Sequence, residues 1–328
     1  MIKQLPAKAA LMGAAGLFIL ALTSYIRTPW FLPELFSHFQ LQYLIVGTLI
    51  LIVLFFLRPR YPLSFFFITA ALTLNIINLV PYVNIDRLIP GQDIQPKVVD
   101  NPETYSLLFA NIFKFNFETD NFVDMVRNAD PDIVIVVEMT PEWNAALDDL
   151  TAIWPNFQVL PQAGSHGMGV FSKYPISDFQ VVEMSSEDVP AFDLNLRLNG
   201  QNVNLLALHP RPPVNQAFYR MRNQHFDWIR THYDQYSTDD PLIIVGDLNT
   251  TMFAPQYKRL TRATGLKNAR AGRGLQKSWF VHGFRPLGIP IDHFLHNRHV
   301  SVAYSNVTPD IKSDHRPLLT YFTLNTPE

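Results

Sequence analysis

Cysteine is absent from the 328 residues. That excludes disulfide staples and thiolate chemistry, and it carries no information about which side of a membrane the chain occupies. Charge is also scarce. Asp, Glu, Lys and Arg make up 16% of the chain against 48% apolar residues, where a soluble domain ordinarily carries about 25% charge. The deficit is concentrated in three stretches, Ala9–Ile26, Leu41–Leu57 and Pro62–Ile85, which contain no charged residue at all. At about 1.5 Å rise per residue, helices of roughly 17 to 24 residues cross a hydrocarbon core of about 30 Å. Three transmembrane helices are therefore expected within residues 1–85. A cleavable signal peptide would account for the first run and leave the other two unexplained.

The basic residues that flank these runs give an orientation. Lys3 and Lys8 precede the first, and Arg58 and Arg60 lie between the second and third. The opposite side offers only Arg27 and Arg87. The asymmetry places the N-terminus in the cytoplasm and everything after Ile85 outside a multi-pass cytoplasmic (inner) membrane, on the periplasmic or extracellular side. Residues 86–101, with Pro90, Gly91 and Pro96, read as a linker. Residues 102–328 form the remaining domain. Internal repeats and low-complexity tracts are absent.

In that domain short apolar runs alternate with polar helical stretches. Strands are expected at Tyr105–Ala110, Ile133–Val137, Met168–Phe171, Phe192–Leu198, Val203–Leu208, Leu242–Val245, Ile289–Leu295 and Leu318–Phe322. Helices are expected at Asn121–Arg127, Pro141–Leu150, Asn215–Tyr233 and Ala254–Thr264. The runs on either side of Asn199-Gly200 read as a hairpin. Helices mixed with hairpins favour an α/β sandwich containing antiparallel strands. From Leu248 to Ile291 there are eight basic residues and no acidic one. Such a stretch is either a solvated face or a surface that meets phosphate on a substrate or on lipid heads.

Five apolar runs end in, or begin after, a polar residue suited to chemistry. They carry Asn111, Glu138, His209, the pair Asp247 and Asn249, and the sequence Ser313-Asp314-His315-Arg316-Pro317. Each alone is a common cap or turn residue. Together they supply hard oxygen donors suited to Mg²⁺ or Mn²⁺ and imidazoles suited to proton transfer.

Gly246-Asp247-Leu248-Asn249-Thr250 and Ser313-Asp314-His315-Arg316-Pro317 resemble the GDFN-type and closing SDH-x-P motifs of the endonuclease/exonuclease/phosphatase superfamily, which has the deoxyribonuclease-I-like fold. Glu138, Gly169–Pro175, Leu208-His209 and Ile291-Asp292-His293 match its remaining blocks in order, and the resemblance covers about 225 residues. It implies a four-layer α/β/β/α sandwich, here preceded by three transmembrane helices, and a metal-dependent phosphoester hydrolase. Asn111, Glu138 and Asp314 would hold the cation. Asp247 would orient or deprotonate the attacking water, Asn249 would position it and the phosphate, and His315, held by Asp292, would stabilise the phosphorus centre or act as acid/base. His209 would donate to a phosphate oxygen. Arg211, Arg270 and Arg273 are candidates for contact with substrate phosphate. Where some relatives carry an acidic residue two positions after the first Asn, this chain has Phe113, which leaves one or two metal ions open. His166, in a Gly-rich approach, is expected to be loop. The substrate is a lipid phosphoester, slightly preferred for an enzyme tethered beside a bilayer, or nucleic acid. A catalytically inactive phosphate-binding module is the remaining alternative. Membrane lipids are expected partners, and no obligate protein partner is implied.

Overall fold

Strand residues alternate sides, so a sheet buried on both faces must be apolar at odd and even positions alike. The central strands obey this rule, and the two parities enter different cores. The computed structural model of the protein describes residues 5–56, 62–84, 103–185, 189–236 and 240–325. In strand β1 (Thr104–Asn111), Leu107 and Phe109 face one core while Leu108 and Ala110 face another. In β7 (Gln201–Leu208), Leu205 and Ala207 share the core of Leu107, whereas Leu206 and Leu208 enter a third.

The three cores define four layers. One sheet runs β11 (Val300–Val307), β12 (Leu318–Leu324), β1, β2 (Ile133–Val137), β4 (Met168–Ser172) and β3 (Asn156–Leu160); the other runs β5 (Ile176–Glu183), β6 (Pro190–Leu198), β7, β8 (Leu242–Asp247), β10 (Asp292–His296) and β9 (Lys267–Asn268), and the shared core lies between them. Helices α5 (Thr119–Ala129) and α6 (Pro141–Ala146) cover the first sheet through Phe122, Val126 and Trp143. Helices α7 (Gln216–His232) and α8 (Pro255–Thr264) cover the second through Phe226, Ile229, Tyr257 and Leu260. The expected α/β/β/α sandwich is the architecture observed. Beyond the expected strands, the sheets contain β3 (Asn156–Leu160), β5 (Ile176–Glu183), β9 (Lys267–Asn268) and β11 (Val300–Val307).

The N-terminal part is helical: α1 (Leu5–Leu22), α2 (Phe31–Ser37), α3 (Gln40–Phe56) and α4 (Pro62–Leu79). By length and composition these helices do not show three spans. Among the described residues one helix, Pro62–Tyr82, is by itself long and apolar enough to cross a membrane. The second apolar run continues a short helix at a 67° bend between Phe31–Ser37 and Gln40–Phe56, and the first contains the shorter apolar helix Lys8–Leu22. The expected linker over residues 86–101, together with Lys3, Arg58 and Arg60, lies outside the described residues.

The helices also pack directly on the sandwich. Leu79 is buried in the core under α7 and α8. Backbone N–H groups of Gly272 and Gly274 donate to the carbonyls of Pro81 and Tyr82 at 2.9 Å each. Tyr219 donates its hydroxyl proton to Thr28 O at 2.9 Å. In the interface Arg222, fully buried, pairs with Glu34.

Candidate active site

The candidate residues lie at one end of the sandwich because of how the strands run. β1 and β2 (Ile133–Val137) are parallel, with Asn111 opposite Val137, so Glu138 follows directly beside Asn111. In the other sheet β7 runs parallel to β8 (Leu242–Asp247), which brings His209 and Asp247 to the same end. β10 (Asp292–His296) runs antiparallel to β8 with Asp292 opposite Asp247. β12 (Leu318–Leu324) is antiparallel to β1, so the turn carrying Asp314 and His315 just before it arrives at that end too. Gly246 is required here: a Cβ at this position would lie 1.9 Å from the Leu208 carbonyl oxygen. Without a side chain, β8 approaches β7 closely enough to set Asp247 beside His209.

Hydrogen bonds connect these groups into a chain. His315 Nδ1 faces both Asp292 oxygens at 3.0 and 3.1 Å. Its Nε2 lies 3.5 Å from Asp247 Oδ2, as does His209 Nε2. His209 Nδ1 donates to Ser165 O at 3.1 Å. Asn111 donates its side-chain amide to Glu138 Oε1 and Asp247 Oδ2, both at 3.2 Å. Glu138 accepts from the Lys114 N–H through its second oxygen. Phe113, Glu138 and Asn249 adopt positive φ of 58°, 63° and 49°, a backbone state that costs about 1–3 kcal/mol for a residue with a side chain and gathers at functional sites.

The charge states follow from these contacts. Burial works against the His315 imidazolium, but Asp292 and Asp247 outweigh it and lift the pKa to about 10. Burial likewise opposes charge on His209, and the Asp247 hydrogen bond reverses that to a net rise. Burial favours a neutral Asp247, yet His315 and His209 hold it below its usual range as an anion. Asp314 is raised by burial, despite His315 and the Trp279 N–H that donates to its Oδ2 at 3.0 Å.

The donor set fits a hard divalent cation. Glu138, Asp247, Asp292 and Asp314 exceed in charge the two imidazoles beside them, and Asp314 Oδ1 is buried without a hydrogen-bond partner. Asp247, Asp292 and His315 offer ligand atoms within 4.8 Å of one another. Both Asp292 oxygens face the His315 ring, however, so that trio is accounted for by a shared proton. Glu138 and Asp314 lie close enough to influence each other's charge, and Asn111 contacts Glu138.

The remaining candidates separate. Asn249 lies beside Asp247, its backbone N–H donating to Asp247 Oδ1 at 2.9 Å and its side-chain amide to Pro210 O. Arg211 stacks on Phe218, its guanidinium carbon 5.0 Å from the ring centre. Arg270 is not a surface cation: it is 0% exposed and spends its guanidinium on the carbonyls of Asp292 and Gln276. Arg273 bonds the carbonyls of Ala269, Ala271 and Val302. Both guanidiniums are thus engaged with backbone carbonyls rather than presented to the cleft. His166, expected to be loop, has its ring 6.2 Å from that of His209 and a buried Nδ1 without a partner. Sequence reasoning passed over Ser278, which accepts the N–H of Asp292, and Arg222, which donates to the Asn249 carbonyl at 3.2 Å.

The sequence matches the endonuclease/exonuclease/phosphatase family over residues 108–315, more than half of the chain. The chain belongs to that family. As a member it is a metal-dependent phosphoester hydrolase, in agreement with the donor set above. No curated protein matches it in sequence. Solved structures share the fold. A humanized zebrafish (D. rerio) TDP2 has a TM-score of 0.57 at 13% identity, covering 67% of this chain and 99% of that one. The endonuclease/exonuclease/phosphatase from Bacteroides vulgatus has 0.56 at 17%, covering 68% and 99%. The human Nocturnin catalytic domain, with a bound sulfate anion, has 0.56 at 14%, covering 68% and 95%.

Proposed function

We propose that this enzyme hydrolyses a phosphodiester at a membrane surface, with Mg²⁺ or Mn²⁺ held by Asn111, Glu138 and Asp314. The observation that carries the reaction is the placement of the Asp247 carboxylate between two imidazoles, 3.5 Å from each. As an anion, Asp247 orients the attacking water and takes its proton. His315, protonated across neutral pH, and His209 donate to the phosphoryl oxygens, where negative charge grows during in-line attack. Asn249 positions the water and the phosphate. The bound cation supplies further compensation of that charge.

The membrane reading rests on exposed apolar surface. Only 33% of the best window in Pro62–Tyr82 is buried, and Ile19, Leu49, Val53, Phe55, Phe66 and Ile77 all face outward. An apolar surface of this extent calls for a lipid or protein cover. Phe115 and Phe117, on the loop after Asn111, are 63% and 80% exposed. An apolar rim beside the catalytic end favours a lipid phosphodiester. Nucleic acid is the second reading, favoured by the fold neighbour zebrafish TDP2, whose crystal structure contains a single-strand DNA product.

The full chain in neutral detergent should hydrolyse bis-p-nitrophenyl phosphate with Mg²⁺ or Mn²⁺, and EDTA should stop it. Asp247→Asn and His315→Gln should each lower turnover by roughly a hundredfold or more. A wild type as inert as both variants overturns the reading. Phospholipid vesicles offered beside single- and double-stranded DNA and RNA decide the substrate; cleavage of nucleic acid with every lipid intact favours the second reading.

A further inference from the structure

The basic stretch that follows Asp247 divides in two. Arg270 and Arg273 turn inward, whereas Lys258, Arg259 and Arg262 on α8 line a cavity of about 580 Å³ that α8 forms with the end of α1 at Ser24, Tyr25 and Arg27. The cavity has four cationic side chains and no carboxylate in its wall. It shares no residue with the catalytic end.

The cations are differently held. Lys258 is anchored: its ammonium donates to Ser24 O at 2.9 Å and Asn78 Oδ1 at 2.7 Å, and lies 4.6 Å from the Tyr25 ring centre. Burial and the charge of Arg262 depress its pKa to about 8. Arg259 shares the Asp227 carboxylate with Arg230. Arg27 and Arg262 are exposed, and neither makes an ion pair among the described residues. Two unengaged guanidiniums facing a cavity with a half-buried ammonium form an uncompensated positive site. Forked N–H donors of this kind match the oxygens of a phosphate.

The position of the cavity narrows the source. Ser24–Arg27 directly follow the apolar helix α1, and Asn78 lies in the last turn of α4. Ile26 and Trp30 beside them are exposed. In the membrane placement proposed above, this is the depth at which apolar helices give way to headgroups.

We infer that this cavity binds the phosphate of an anionic lipid headgroup, separately from the substrate. The inference rests on the membrane placement proposed above and not on the hydrolytic chemistry.

The test is native mass spectrometry of the full chain in neutral detergent at low salt, titrated with phosphatidic acid, phosphatidylglycerol and phosphatidylcholine, with inorganic phosphate as a parallel arm. Phosphatidic acid and phosphatidylglycerol should bind at least about tenfold tighter than phosphatidylcholine. Arg27→Gln combined with Arg262→Gln should weaken them by roughly thirtyfold. Both arginines are exposed, so the double variant should fold and keep its turnover of bis-p-nitrophenyl phosphate. Equal lipid binding by the double variant, or equal binding of phosphatidylcholine, overturns the site. Inorganic phosphate bound as tightly as either anionic lipid overturns the lipid source. Weak phosphate binding together with anionic lipid retention supports it. A catalytically dead protein that retains the lipids would sink the proposed reaction and leave this inference standing.

Discussion

Asp292 governs the cleft through His315 rather than by touching the phosphate. Its carboxylate is the largest of the three charges that keep the imidazole protonated, and its backbone is pinned by Ser278 and Arg270. Asp292→Asn removes that charge and lets the His315 pKa fall from about 10 toward the ordinary value near 6.5. The sign follows: without that charge the imidazole gives up its proton at a lower pH than in the wild type, so the loss shows on the alkaline side. Turnover should fall roughly a hundredfold at pH 8.5 and clearly less at pH 6, as read from kcat–pH profiles. The members of this cluster were legible in sequence because each stands where a buried apolar run ends. Arg270 and Arg273 were not. A basic residue in a stretch without acids reads as surface, and their partners are carbonyls of Asp292 and Val302, 22 and 29 positions away. Only the folded chain brings those acceptors within reach.

At the scale of elements, the strands that escaped sequence reading are those at the sheet edges. β3 and β11 bound one sheet, and β5 and β9 the other. An edge strand has a neighbour on one side only and buries less, as the largely exposed residues of β5 show. It therefore lacks the continuous apolar run that marked β1, β2, β7 and β8. Docking of the helices on the sandwich was equally hidden, since a buried Glu34 and a buried Arg222 look like surface charges until they meet. Arg222 bonds Glu34 and also donates to the carbonyl of Asn249, so α2 supports the loop that carries Asn249. Glu34→Ala would strand the guanidinium without a counter-charge, at a cost of about 3–5 kcal/mol. The full chain should melt earlier, and kcat on a small diester should fall with little change in KM. Glu34→Gln should recover part of both, because an amide oxygen still accepts from Arg222.

For the whole molecule, buried histidines set a pH window for stability. His293 is buried and neutral, donating through Nε2 to Thr250 O and facing the Asn268 amide through Nδ1. Burial, and then the Arg270 charge, lower its pKa to about 3; His225, lowered chiefly by burial, sits at about 4. Below about pH 6.5 the unfolded chain takes up protons that these rings refuse, so stability falls as pH drops. His315 acts oppositely: folded, it keeps its proton up to about 10, and its contribution is lost as pH rises from about 6.5 toward that value. Thermal unfolding in EDTA should peak near neutrality, and Asp292→Asn should flatten only the alkaline limb. The architecture also bears on orientation. The end of α1 meets Lys258 through Ser24, the start of α3 meets Pro286 and Gly288 through Gln42, and the segment after α4 meets Gly272 and Gly274. Because successive apolar helices alternate in direction, these three ends lie on one side, with the sandwich. Lys8, near the start of α1, belongs to the other, and in sequence Arg58 and Arg60 join α3 to α4. Because basic residues tend to stay in the cytoplasm, we propose that the sandwich faces outward. Alkaline phosphatase fused to the C-terminus in a bacterial host should be active, and green fluorescent protein at the same position should stay dark. A dark phosphatase with a bright fluorescent fusion would put the catalytic domain in the cytoplasm and overturn the orientation.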